Sequence, residues 1–76
     1  MIKELDRVVL AAELPDHGLK VGDIGTVVLT HDQGNGYEVE FVSLDGETVA
    51  VVSLLSHQVR SIGRREIAHA RPLATL

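Results

Sequence analysis

Short runs of apolar and β-branched residues recur along the chain, and turn-forming residues separate them. Val, Ile, Leu and Thr are concentrated in four or five runs, each bounded by Gly, Pro, Asn or Asp. Runs spaced by about 10–12 residues are typical of small all-β sandwiches and barrels. We therefore predict an all-β fold with strands at residues 6–11, 25–31, 37–44, 47–54 and 59–62.

The third and fourth runs meet at Asp45-Gly46, which predicts a β-hairpin. A two-residue type I′ turn suits this dipeptide, because both of its central positions need positive φ. With that turn, Phe41 faces Ala50 and Val39 faces Val52. One face of the hairpin is then uniformly apolar and is predicted to be core: Tyr37, Val39, Phe41, Ala50, Val52 and Leu54.

The opposite face of the same hairpin alternates glutamates with aliphatic side chains. Four clustered aliphatic residues are uncommon on an exposed surface. Either they mark a contact with another molecule, or the barrel curls or the segment from Ile62 to Leu73 folds over them. A second copy of the chain could place its Arg64–Arg65 segment beside the glutamates. The candidate interface residues are Val42, Leu44, Val49, Val51, Arg64 and Arg65.

Two glycines three positions apart lie in the stretch Lys20 to His31. Gly22 permits the positive φ that the third position of a type II turn needs, and it would launch the second strand. Gly25, at the start of that strand, allows another backbone to approach closely. This turn resembles the diverging turn of SH3-like barrels, and we interpret both glycines as residues that the fold requires.

Nearly the whole chain resembles one family in the order and spacing of its segments. The segments that carry this resemblance are "IKELDRVVL", "LPDHGLKVGDIGTVV", "YEVEFVSLDGETVAVVSL", "QVR" and "REIAHARPL". They resemble small bacterial proteins, common in cyanobacteria, that are grouped as domain of unknown function 4926. The resemblance implies a small SH3-like antiparallel barrel of about five strands, with no established activity and no catalytic residues. It also implies a neighbouring gene, arranged as in toxin–antitoxin pairs.

Composition narrows the possible functions. A chain of 76 residues is expected to form one domain, residues 1–76, with a short C-terminal extension at 62–76 whose conformation, helix or strand, stays open. The absence of cysteine excludes disulfides and thiolate metal sites. Neither a signal peptide nor an apolar run long enough to span a membrane is present, so we expect a cytoplasmic protein with no membrane partner.

Charge is divided unevenly between the body and the C-terminal end. The net charge is −4, yet residues 58–76 hold four arginines against the single acid Glu66. The body is therefore acidic and repels phosphate. Tyr37 and Phe41, the two aromatic residues, are both predicted to face inward, which removes a proline-binding groove and the stacking platforms of nucleic-acid binders.

The remaining residue types do not suggest catalysis or a cofactor. None of the four histidines, His17, His31, His57 and His69, stands at a metal-ligand spacing from another. No cysteine nucleophile or G-x-S-x-G motif is present. We expect no enzyme activity, no metal and no cofactor.

The sequence therefore favours a small protein-interaction module, an antitoxin-like or accessory partner of a neighbouring gene product, with a protein partner or a homo-oligomer. Two alternatives remain open. One is a nucleic-acid or ribonucleoprotein binder of KOW type, and the other is an enzyme subunit resembling the SH3-like domain of nitrile hydratase β-subunits.

Overall fold

Five strands form one antiparallel sheet in the computed structural model, which describes residues 1–73. The strand order across the sheet is β4-β3-β2-β1-β5. Short 3-10 turns at Pro15–His17, Asp32–Gly34 and Ser56–Gln58 lie between strands. The strands are β1 (Arg7–Leu10), β2 (Ile24–His31), β3 (Gly36–Val42), β4 (Thr48–Leu55) and β5 (Val59–Ser61).

The predicted all-β class is confirmed, and each strand end lies within two residues of its predicted position. The pairings leave β4 and β5 at the two ends of the sheet order, so closure into an SH3-like barrel stays a prediction. Residues 62–73 form neither helix nor strand, and residues 74–76 of the predicted extension lie outside the described residues. No helix in the described part of the chain is long and apolar enough to cross a membrane.

One apolar cluster on the inner face of the sheet forms the core. The inner hairpin face is buried as predicted, except that Ala50 is half-buried. On β2 a bulge between Val27 and Leu29 leaves Val28 outside the core at 41 % exposure. The buried apolar residues are Val8, Val9, Leu10, Leu19, Val27, Tyr37, Val39, Phe41, Val52, Leu54 and Val59.

The predicted two-residue turn between β3 and β4 is wrong. The loop holds three residues, 44–46, because Ser43 N donates to Glu47 O at 2.8 Å and Gly46 N donates to Ser43 O at 2.9 Å. Gly46 adopts a φ of +92°, as a three-residue hairpin loop requires of its last position. This extra residue shifts the register by one.

A bulge at Val49 restores the register further along the hairpin. Val42 pairs with Thr48 instead of Val49, and Phe41 then pairs with Ala50 as predicted. The bulge leaves Val49 half-buried and packed against the core, so it does not share the exposed face with Val42. The predicted exposure of Val49 is therefore wrong.

The turn before β2 has the predicted geometry. Asp23 N donates to Lys20 O at 3.0 Å, and Gly22 has a φ of +99°. Gly25 is buried where β2 crosses the core, so both glycines act in folding.

Candidate docking groove

An open groove of about 670 Å³ lies between the β3–β4 hairpin and the C-terminal segment 62–73, which we call the tail. Buried Leu19 and Phe41 contribute to its floor, and most of its lining surface is apolar. A second depression, beside Met1 and Gln33, has no buried side chain in its walls. The hairpin groove is lined by Leu19, Asp23, Ile24, Phe41, Val42, Ser43, Leu44, Asp45, Val49, Ala68, His69, Ala70, Arg71, Pro72 and Leu73.

The hairpin loop forms one wall of the groove, and Ser43 organises it. The single hydroxyl proton of Ser43 is shared between Asp45 Oδ1 and Glu47 O, the latter 3.1 Å from Oγ. The hydrogen bond from Ser43 holds the pKa of Asp45 below its usual value, so this rim carboxylate is ionised at neutral pH. Leu44, at the tip of the loop, is 96 % exposed.

The tail forms the other wall, and its first turn is fixed by one acidic side chain. Glu66 accepts two hydrogen bonds from the Arg60 guanidinium at 2.8 Å each, and a third from Gly63 N at 2.6 Å. These bonds, with Arg60 as the larger cause, lower the pKa of Glu66 to about 2. The tail therefore leaves β5 in a defined direction and runs back across the body.

The far end of the tail is attached to the body by an ion pair between Arg71 and Asp23. Arg71 Nε donates to Asp23 Oδ1 at 2.8 Å and Nη2 donates to Oδ2 at 2.6 Å, which is a bidentate geometry. Nη2 also donates to Gly18 O at 2.9 Å. The carboxylate accepts a further bond from Lys20 N at 2.8 Å, so the turn before β2 orients it.

Both side chains of this pair are largely shielded from solvent, with Arg71 24 % and Asp23 17 % exposed. Burial would by itself raise the pKa of Asp23. The bonds from Arg71 and from Lys20 N outweigh burial, and the pKa of Asp23 is lowered. Hydrogen bonding to Asp23 correspondingly raises the pKa of Arg71. The pair therefore stays ionised at neutral pH.

The predicted interface residues fall in three different places. Val42 and Leu44 line the hairpin groove and are exposed. Val49 also borders the groove but is half-buried against the core. Val51 is 55 % exposed, yet it lies on β4 away from the groove. Arg64–Arg65 is an exposed turn outside the groove lining.

The four histidines are exposed. His31 Nε2 lies 2.8 Å from Glu38 Oε2, and Ser53 Oγ donates to the same oxygen at 2.5 Å. The bond from Ser53, followed by that from His31, lowers the pKa of Glu38. Within residues 1–73, no group of three or more His, Cys, Asp or Glu side chains could hold a metal ion.

Comparison with known sequence families identifies a family match. The family model of domain of unknown function 4926 matches residues 4–61. This chain belongs to that family. No curated protein and no solved structure matches the chain significantly.

The match to domain of unknown function 4926 ends at Ser61, the last residue of β5. It covers all five strands, whereas the tail lies beyond it. The hairpin groove therefore has one wall from the family region and one from the tail. The Asp23–Arg71 pair, which joins the two, was missed by sequence reasoning because its partners are 48 residues apart and share no local pattern.

Proposed function

We propose that the protein is a non-enzymatic interaction module that binds an extended segment of a partner protein in the hairpin groove. The observation that carries this proposal is an open groove with apolar walls and the almost fully exposed Leu44 at its rim. Complete burial of a leucine side chain is worth about 1.5–3 kcal/mol. A partner segment lying along the groove provides that burial.

The polar groups of the groove suggest the chemistry of the partner. Asp23 is already neutralised by Arg71, whereas Asp45 is an exposed carboxylate at the rim. The protein carries a net charge of −4. A segment with apolar side chains flanked by a lysine or arginine beside Asp45 would be complementary to this arrangement.

The partner that we propose is the product of a neighbouring gene, which the chain accompanies as an accessory or antitoxin-like subunit. Co-expression of the two products, followed by co-purification, tests the association. If the partner arrests growth when it is expressed alone, relief of that arrest by this chain supports the antitoxin-like role.

Two substitutions of matched exposure test whether the groove is the binding site. Leu44 is 96 % and Ile67 is 94 % exposed, but only Leu44 lines the groove. Leu44→Asp places a charge in the apolar contact and is expected to weaken binding by about tenfold or more, which corresponds to about 1.4 kcal/mol. Ile67→Asp is expected to leave the affinity unchanged.

Calorimetric titration of the purified partner into each variant provides the measurement. Equal affinities for the wild type and Leu44→Asp would contradict the groove as the binding site. Absence of association with the neighbouring product would contradict the proposed partner. Binding to RNA or DNA that falls steeply with salt would instead favour the nucleic-acid alternative.

A further inference from the structure

The two edges of the sheet differ in length and in charge. β5 has three residues, and its central Arg60 is engaged by Glu66 of the tail. β4 has eight residues, TVAVVSLL, with neither a charged side chain nor a proline. Natural sheets usually protect exposed edges with short strands, charges, prolines, bulges or covering segments. β5 has such protection, whereas β4 has only the bulge at Val49 near its beginning.

β4 pairs only with β3 among the described strands, so one side of its backbone is available. In an antiparallel pair, successive residues direct their N–H and C=O groups alternately toward and away from the neighbouring strand. Ser56 N donates to Asn35 O at 3.2 Å, and Leu55 lies opposite Gly36. Every second residue counted back from Ser56, namely Leu54 and Val52, therefore directs its backbone groups toward β3. The backbone groups of Val51, Ser53 and Leu55 consequently point away from β3, and of these groups Leu55 N already donates to Gln58 Oε1 at 2.8 Å.

The side chains of the same three residues are also accessible. Val51 is 55 % and Leu55 57 % exposed, and Ser53 is exposed between them. The bulge at Val49 bends the beginning of the strand, because a bulge increases the local twist. A new strand could therefore pair with the portion from Val51 to Leu55.

We infer that β4 pairs in antiparallel orientation with β4 of a second copy of this chain, which joins two sheets into one of ten strands. A twofold axis at Ser53 places this residue opposite its own counterpart and Val51 opposite the second copy's Leu55. The same surface then serves both copies, as a closed dimer requires. Every cross-strand pair is apolar or a serine pair, and neither kind is repulsive.

β4 brings no charged side chain of its own to this contact, although one glutamate of β3 reaches it. Glu38 lies on β3, one strand inward from the edge, and its carboxylate accepts a hydrogen bond from Ser53 Oγ at 2.5 Å. With strands about 4.8 Å apart, the two copies of β3 would be separated by about 14 Å, but the two Glu38 carboxylates lie closer to the axis than their strands do. Their repulsion is screened over about 8 Å at physiological salt, so we expect association to strengthen as the ionic strength rises.

Amide hydrogen exchange of the wild-type chain, followed by NMR, tests the pairing without any substitution. In a dimer the amides of Val51 and Ser53 are expected to be protected, and dilution should remove that protection. The amides of Val52 and Leu54 bond to β3 and should stay protected at every concentration. Rapid exchange at Val51 and Ser53 at millimolar concentration would overturn the inference, as would protection independent of concentration.

Light scattering of the wild type and two lysine variants tests whether the β4 edge forms the dimer contact. The wild-type dimer should have twice the 8.2 kDa mass of the chain. Val51→Lys puts a charge on the edge and is expected to give the single-chain mass with an unchanged β-sheet circular dichroism spectrum. Leu29→Lys, at a position 45 % exposed on the inner strand β2, is expected to keep the dimer.

Three results of this experiment would contradict pairing through β4. They are a monomeric wild type, a dimer that persists in Val51→Lys, and a dimer that both variants lose equally. Should Val51→Lys fail to fold, the dilution dependence of exchange in the wild type decides the question. A wild-type monomer that binds an extended peptide along β4 would assign the edge to a different partner and also overturn the inference.

Discussion

At the scale of single residues, Gly25 sets how closely β2 approaches β3. A Cβ at this position would lie 2.6 Å from Val39 Cγ1, 2.9 Å from Phe41 Cε1 and 3.0 Å from Glu40 O. Gly25→Ala is therefore expected to lower the free energy of unfolding by about 1–3 kcal/mol, as overpacking of a core does. Urea unfolding followed by circular dichroism measures the change.

Gly63→Ala is the matched control for this substitution. The Cβ at Gly63 would meet only the side chain of Glu66, whose nearest atom, Oε2 at 3.0 Å, is bonded to Arg60 and Gly63 N and must shift by a few tenths of an ångström. No core atom is in the way, so a smaller change than at Gly25 is expected, within about 1 kcal/mol. Equal effects of the two alanines would show that Gly25 is not required by close packing.

Phe41 is the largest side chain of the core without a polar atom, and it is 2 % exposed between β2 and β4. Phe41→Ala is expected to cost about 3–5 kcal/mol, because the transfer of the ring to solvent and the resulting cavity both contribute. This loss is a large part of the stability of so small a domain. Leu29→Ala, on the outer face, should cost much less in the same thermal or urea unfolding experiment. Equal losses would contradict the assignment of the core.

At the scale of elements, the loop of the β3–β4 hairpin depends on Gly46. Its φ of +92° is disfavoured for other L-residues, although a Cβ at this position would meet nothing within 4 Å beyond its chain neighbours. Gly46→Ala is therefore expected to cost about 1–2 kcal/mol through backbone strain alone. Gly46→Asn should cost less, because asparagine tolerates this conformation. Urea unfolding that ranks Asn at or below Ala in stability would contradict this account.

The strands could be predicted from sequence, whereas the hairpin loop could not. Alternation and spacing of apolar residues locate a strand to within a residue or two, because burial of one face fixes the register. Asp45-Gly46 suits both a two-residue and a three-residue loop, since each needs a positive φ at Gly46. The hydrogen bonds of Ser43 accompany the longer loop, and the compensating bulge at Val49 carries no sequence signal of its own.

The turn that begins the tail is an element held by one carboxylate. Glu66 is expected to titrate near pH 2 in carbon-detected NMR, well below the usual value of 4.5. Because its folded pKa is lowered, the turn is fully formed above about pH 4.5 and loosens as the pH falls toward 2. Arg60→Met removes the main cause of the lowered pKa and should return the titration midpoint of Glu66 toward 4.5. A midpoint that stays near 2 in this variant would contradict the role of Arg60.

At the scale of the whole molecule, the Asp23–Arg71 pair determines whether the hairpin groove has its second wall. The exposed aliphatic residues Val42 and Leu44 could be identified from the hairpin pattern, and both line the groove. The position of the tail could not be predicted in this way. The tail's position depends on a bidentate contact between two residues that are 48 positions apart in the sequence. It depends also on Gly18 O, a backbone acceptor that any residue type could supply.

The pH dependence of this contact follows from the direction of the pKa shift. The folded pKa of Asp23 lies below the ordinary value of 3.8, so the charged carboxylate is the form that the fold stabilises. Stabilisation by the pair is therefore complete above about pH 4 and is lost as the pH falls through the folded pKa. The tail should stay attached throughout the neutral range and detach only in acid.

The Nε–Hε resonance of Arg71 in ¹⁵N NMR spectra reports this detachment directly. We expect that proton to exchange with water more slowly than in free arginine near neutral pH, and at the rate of free arginine at the same pH once Asp23 is protonated. Asp23→Asn should give the free-arginine rate at both pH values, because a neutral amide cannot form the bidentate ion pair while its oxygen can still accept from Lys20 N. Asp6→Asn, which removes a carboxylate paired with Lys3, is the control and should leave the Arg71 resonance unchanged. Slow exchange of Arg71 in Asp23→Asn would mean that contacts other than this pair hold the tail against the body, and the groove would then keep its second wall in acid as well.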